Sequence, residues 1–185
     1  MIDVMLERYL ADPVEPELVM ALTTGAQACF DRHRVTWQGS LLAKDGHRLV
    51  CHFRAPDAEA ARTGLRRAGA DIRSLWTGTV HDAPGLEAAD PLRANVLVER
   101  SFTQPVALEA IQRLEDAGSA CLQNHRVRFV RTFFSQDGRR MICLYHAPDA
   151  ESVRLAQRQA GMPLERAWSC QPILPPDHAR YHPGS

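Results

Sequence analysis

The clearest pattern of apolar and polar positions lies in the second half of the chain. "NVLVERSF" (95–102) is rich in β-branched residues and reads as a strand. Pro105 follows, and then Ala110, Ile111, Leu114, Ala117, Cys121 and Leu122 recur at three-and-four spacing, which predicts a helix. In "VRFVRTFFSQDGRRMICLYHAP" (127–148), two strand-like runs flank Asp137-Gly138, a corner that supplies the positive φ angles of a tight hairpin. Pro148 then breaks the strand, and Asp149 stands where a side-chain oxygen caps the next helix. Val153, Ala156 and Ala160 share one side of that helix, and Gly161 ends it. A last strand runs through "RAWSCQPI".

The same phrases occur earlier, offset by 92 residues. "VCHFRAPDAEA" precedes "ICLYHAPDAES", "CFDRHRVTW" stands over "CLQNHRVRF", and "AKDGHRLVC" over "SQDGRRMIC". Roughly a third of about 75 paired positions are identical without a gap, the mark of an internal duplication. The predicted segments are repeat 1 over 1–80, a linker over 81–94 ("HDAPGLEAADPLRAN" runs through it), repeat 2 over 95–174, and a polar tail over 175–185. Each repeat reads βαββαβ, the order of the ferredoxin-like unit: an α+β fold with two helices on one face of an antiparallel sheet. Such a sheet leaves its other face bare. The expectation is therefore a pseudo-dimeric α+β barrel in which the two bare faces pack together.

Composition narrows the function classes. Net charge is zero and the pI near 7.1, with no Lys/Arg run, which argues against nucleic acid as a partner. No apolar run approaches a membrane span, and "MIDVMLERYLADP" lacks the pattern of a signal peptide. The five cysteines form no CxxC pair and leave one odd, which suits reduced thiols and a cytoplasmic location. No nucleophile–base set, phosphate loop or HExxH motif is present, so no catalytic residue is assigned.

Several polar positions carry two readings each. Cys121 and His125 lie four apart, as do Cys29 and His33, so each pair faces one way and could hold a cation. Alternatively the cysteines are core residues and the histidines close a helix end. Glu7 and Glu99 interrupt apolar strands, where a carboxylate is either structurally paired or a ligand. The neighbouring Arg8 and Arg100 point to the opposite face and cannot pair with them directly. Cys51 and Cys143 share a strand face with Phe53 and Tyr145, and His52, Arg54, Leu144 and His146 face the other way. Trp76 and Trp168 are candidates to seal the core. His178 and His182 with Asp177 form a loose tail cluster that suits adventitious metal binding.

The second copy, with "VERSF", the helix-ending His125, Ser135-Gln-Asp-Gly and "CLYHAP", resembles a family of small ferredoxin-like domains named for a nickel-binding actinobacterial member. Residues 95–174 carry nearly the whole pattern, and residues 4–80 match it more weakly. Typical members resemble one half of this chain and pair as homodimers, so the resemblance implies a fused dimer and leaves a further homodimer open. Where the family has Glu after the third-strand aromatic, this chain has His146 and Arg54; the aromatic itself is Tyr145 or Phe53.

The resemblance implies a non-enzymatic protein binding nickel or another divalent transition metal, with a homeostatic or sequestering role. The candidate ligands are His33, His125, Glu7, Glu99, Cys143 and His146. A second expectation is an enzyme or carrier for a small organic ligand lined by Glu99, His125 and Tyr145, and a third is a structural or regulatory module.

Overall fold

The structure, a computed structural model, describes residues 1–87 and 93–176. Part of the expected linker and nearly all of the tail, with His178 and His182, lie outside the described residues. The elements of the first half are β1 (Ile2–Tyr9), α1 (Pro16–Gly25), α2 (Gln27–Arg32), β2 (Thr36–Ala43), β3 (Arg48–Ala55), α3 (Ala58–Arg67) and β4 (Leu75–Asp82). Those of the second are β5 (Val96–Ser101), α4 (Leu108–Ala117), α5 (Ser119–Asn124), β6 (Arg128–Ser135), β7 (Arg140–His146), α6 (Ala150–Gln159) and β8 (Arg166–Ile173).

The expected βαββαβ order is present in both halves, with one correction. The single helix expected over Ala110–Leu122 is two helices, α4 and α5, meeting at Gly118. The first half breaks at the corresponding Ala26, directly after Gly25, the last residue of α1 and a poor helix former. Packing accounts for it in the second half: a Cβ on Gly118 would lie 2.4 Å from the Cβ of Ala160, just past α6. Ile111 and Leu122 of the predicted stripe are buried, whereas Leu114 is 40% exposed.

Contacts divide the chain into unit 1, Met1–Thr77 with the segment from Pro172 onward, and unit 2, Gly78–Gln171. In unit 1, β3 lies between β1 and β2, antiparallel to both. In unit 2 the order is β8-β5-β7-β6-β4, all antiparallel, with Gly78–Asp82 of β4 paired to β6. The helix side of each sheet holds the core. Val4, Leu6, Cys51 and Phe53 meet Phe30, Ala61 and Leu65 in unit 1; Val96, Val98, Met141, Cys143 and Tyr145 meet Ile111, Val153 and Ala156 in unit 2. Each large apolar side chain buried this way contributes roughly 1.5–3 kcal/mol. Strand alternation puts Glu7 and Glu99 on the opposite face.

Local chemistry fixes the element ends. Asp149 accepts from Ser152 N at 2.7 Å and Asp57 from Ala60 N at 2.8 Å, capping α6 and α3 as the sequence predicts for Asp149. In the β2–β3 and β6–β7 hairpins only the glycines, Gly46 (φ 75°) and Gly138 (φ 67°), adopt positive φ; the preceding aspartates do not. A Cβ at either glycine would sit 2.8 Å from a carbonyl oxygen, of Val14 or Val106. The turns are thus pressed onto the segments leading into α1 and α4. Arg34 and Arg126, just past the α2 and α5 caps, also stand at positive φ (55° and 56°).

Candidate functional site

Arg100 is the most deeply enclosed charge in unit 2, 2% exposed on the helix face of β5. Its Nε donates to Pro163 O at 2.8 Å, and its Nη2 to Gln157 Oε1 at 2.7 Å and to Tyr145 Oη at 3.3 Å. Nη1 lies 2.8 Å from Cys143 Sγ, which is also 3.0 Å from Thr132 Oγ1. Tyr145 in turn donates to Glu115 Oε1 at 2.9 Å. Burial works against the Arg100 charge, but Cys143, Tyr145 and Glu115 outweigh it and hold Arg100 above its ordinary range. Burial raises Cys143, Tyr145 and Glu115, and Arg100 pulls each back. Glu115 also lines a largely polar cavity of about 310 Å³ with His81, Asp82, Gln112 and Thr132.

At the corresponding positions of unit 1 the arginine remains and most of its partners do not. Arg8 and Cys51 match Arg100 and Cys143, but Phe53 stands for Tyr145, Leu65 for Gln157 and Thr23 for Glu115. Ala70 stands for Met162, which is 5% exposed and packed in the unit 2 core. The exchanges leave a mostly apolar cavity of about 170 Å³, lined by Arg8, Leu6, Leu22, Phe53, Leu65 and Ala70 among others. The Arg8 side chain makes no hydrogen bond or ion pair among the described residues. Its charge reaches Cys51 and Asp71, but Asp71 is held by the Arg73 side chain in three contacts of 2.5, 2.8 and 3.1 Å. Burial pushes the Cys51 thiol up to about 11, against the pull of Ser40 and Arg8, so it is a neutral wall residue at neutral pH.

The residues singled out from the sequence are placed apart. Glu99 Oε1 accepts from Trp168 Nε1 at 2.8 Å; Glu7 accepts from Trp76 Nε1 at 2.6 Å and Arg48 Nη2 at 2.5 Å. Each tryptophan therefore anchors a strand carboxylate. His125 caps α5 and its Nε2 meets Gln159 Oε1 at 3.0 Å; His33 caps α2, and its buried Nε2 has no hydrogen-bond partner among the described residues. His146 is exposed at the end of β7, and Cys143 sits against Arg100. Tyr145 and Cys143 share one network; Glu99 is on the other sheet face and His125 at a helix end.

Among the described residues no three His, Cys, Asp or Glu side chains converge as a metal site would require, so the donor set does not fit an enclosed metal centre. Sequence reasoning missed Arg100, Glu115, Gln157 and the unit 1 cavity. The signal was present in the paired copies: around an unchanged arginine, Tyr145 and Gln157 are matched by the apolar Phe53 and Leu65, and the charged Glu115 by the neutral Thr23.

Comparison with known proteins bears on fold and family. A putative chlorite dismutase, TA0507, is 11% identical over 97% of this chain and 97% of its own, with a TM-score of 0.51. A mutant chlorite dismutase from Candidatus Nitrospira defluvii, in complex with cyanide, is 12% identical over 96% of this chain and 91% of its own, at 0.50. These likenesses show a mixed α/β fold shared with such proteins and nothing of their chemistry. SCO4226 from Streptomyces coelicolor A3(2) is 18% identical over 40% of this chain and 91% of its own, at 0.37. No curated protein sequence matches the chain. No helix among the described residues is long and apolar enough to cross a membrane. Residues 97–169 match the family described as nickel responsive protein SCO4226-like, the family that the motifs of the second copy resemble.

Proposed function

We propose that this chain is a non-enzymatic binding protein whose ligand is a small organic molecule held in the cavity of unit 1. The observation that carries the reading is the contrast between corresponding positions. Where unit 2 sets Gln157, Tyr145 and Met162 around its arginine, unit 1 has Leu65, Phe53 and Ala70 around about 170 Å³ of mostly apolar open space. A concave, mostly apolar site with one polar group is the usual form of a small-ligand pocket. Titration with octan-1-ol, followed by methyl NMR of Leu6 and Leu65, tests it. Saturable shifts that disappear in Ala70→Met, which installs the bulk of Met162, are expected; their absence from the unaltered protein overturns the reading.

Nickel binding, with a homeostatic or sequestering role, is the second reading, and the family match over residues 97–169 favours it. Elemental analysis of untagged protein, followed by nickel titration of the chelator-stripped form, tests it. Stoichiometric metal lost in His125→Ala and kept in His178→Ala supports this reading; binding that depends only on His178 moves the site to the tail.

A further inference from the structure

We infer that the ligand of the unit 1 cavity is a free monocarboxylate with an aliphatic chain or single ring of about six to eight carbons, bound through Arg8. The inference rests on the small-molecule reading of that cavity and adds the chemical class. In unit 2 a guanidinium at this position makes hydrogen bonds to Pro163 O, Gln157 Oε1 and Tyr145 Oη. Unit 1 keeps the guanidinium and makes none of the three bonds: Leu65 and Phe53 offer no side-chain acceptor, and Arg8 does not bond to Asp71, the half-buried residue at the position of Pro163, whose carboxylate is held by Arg73. A half-buried arginine beside an apolar hollow, without an internal hydrogen-bond acceptor, is matched by a ligand that brings its own. A carboxylate accepts from the planar fork through two oxygens, which a hydroxyl or carbonyl does not.

Size follows from the volume. A dry cavity of about 150 Å³ is known to accept benzene, so about 170 Å³ holds a comparable number of carbons. Leu18 and Leu22 line the same cavity and are 47% and 60% exposed, so they mark its open side. A chain that outgrows the cavity would run over them. A doubly charged or sugar-like ligand does not fit, because beyond Arg8 the lining offers only Thr23 and Cys51 as polar side chains. The Thr23 hydroxyl is already bonded to Val19 O, and Cys51 accepts from Ser40 Oγ at 3.0 Å.

Calorimetric titration of the full chain with octanoate and with octan-1-ol separates the two levels of the proposal. Octanoate should bind about 10–100-fold more tightly than octan-1-ol, the worth of one charge-assisted hydrogen-bonded pair at a partly buried site. Arg8→Met should abolish that preference while octan-1-ol binding persists. Phe53→Tyr, which restores the hydroxyl that Arg100 uses in unit 2 and preserves packing, should narrow the preference even if Arg8→Met fails to fold. Equal affinity for the acid and the alcohol in the unaltered protein overturns the carboxylate assignment and leaves the cavity reading standing. Failure of both probes to bind overturns both.

Discussion

Replacing Tyr145 by phenylalanine removes one oxygen from a fully buried site and should destabilise the protein by about 1.5–3 kcal/mol at pH 7. The ring itself is not at issue, since Phe53 occupies the corresponding position of unit 1. What is lost is a hydroxyl that donates to Glu115 Oε1 at 2.9 Å and accepts from Arg100 Nη2 at 3.3 Å. Arg100 retains Gln157 and Pro163, so most of the deficit falls on Glu115. At roughly 2–4 °C per kcal/mol for a chain of this size, the midpoint should drop by about 3–12 °C.

The pH dependence identifies the cause. Burial raises the Glu115 carboxyl above its ordinary 4.5, while Arg100 and the Tyr145 hydroxyl pull it back. A folded-state pKa above the unfolded one gives stability that is complete below the unfolded value and lost as pH rises through the folded value. Removing the hydroxyl lifts the folded value further, so the variant's deficit should be largest at neutral pH and shrink as pH falls below 4.5. Urea denaturation followed by tryptophan fluorescence at both ends of that range measures it. A loss under about 0.5 kcal/mol at pH 7, or a deficit that stays constant into acid, refutes the assigned role of the hydroxyl.

Two further expectations follow from the packing. Gly118→Val should cost about 1–3 kcal/mol in thermal unfolding, because its Cβ has no room beside Ala160; an unchanged midpoint would mean that the neighbouring helices separate freely. Arg126→Gly should stabilise by about 0.5–1 kcal/mol in the same assay, by relieving an exposed residue at φ 56°; destabilisation would reveal an unseen role for that side chain.

Much of the fold was legible because its signals are local. Asp149 and Gly161 announce a helix start and stop, and Asp-Gly with alternating apolar residues announces a hairpin, whatever the rest of the chain does. The break at Gly118 was hidden because an apolar stripe runs through it, although each copy carries a glycine at the junction, Gly25 or Gly118. Glu7 and Glu99 were recognised as needing partners, but their tryptophan partners lie 69 residues onward, and Arg48 lies 41 residues beyond Glu7, all outside local reading. Arg8 and Arg100 were set aside once alternation excluded a pairing with the neighbouring glutamates. The hollow around Arg8 became visible only when Phe53, Leu65 and Thr23 were placed around one point in space.

The pressure of Gly46 on the segment before α1 also decides which wall of the cavity can give. Val14 N donates to Gly46 O at 3.0 Å and Leu10 N to His47 O at 2.8 Å, so the stretch carrying Leu10 and Val14 is stitched to a hairpin. Both residues line the cavity, as do Leu18, Leu22 and Thr23 of α1. These loop amides should therefore exchange with solvent deuterium nearly as slowly as those of β3, whereas the amides of α1, which buries only Val19, should exchange much sooner. Entry to the hollow then falls to the breathing of one short helix swinging against a fixed jamb.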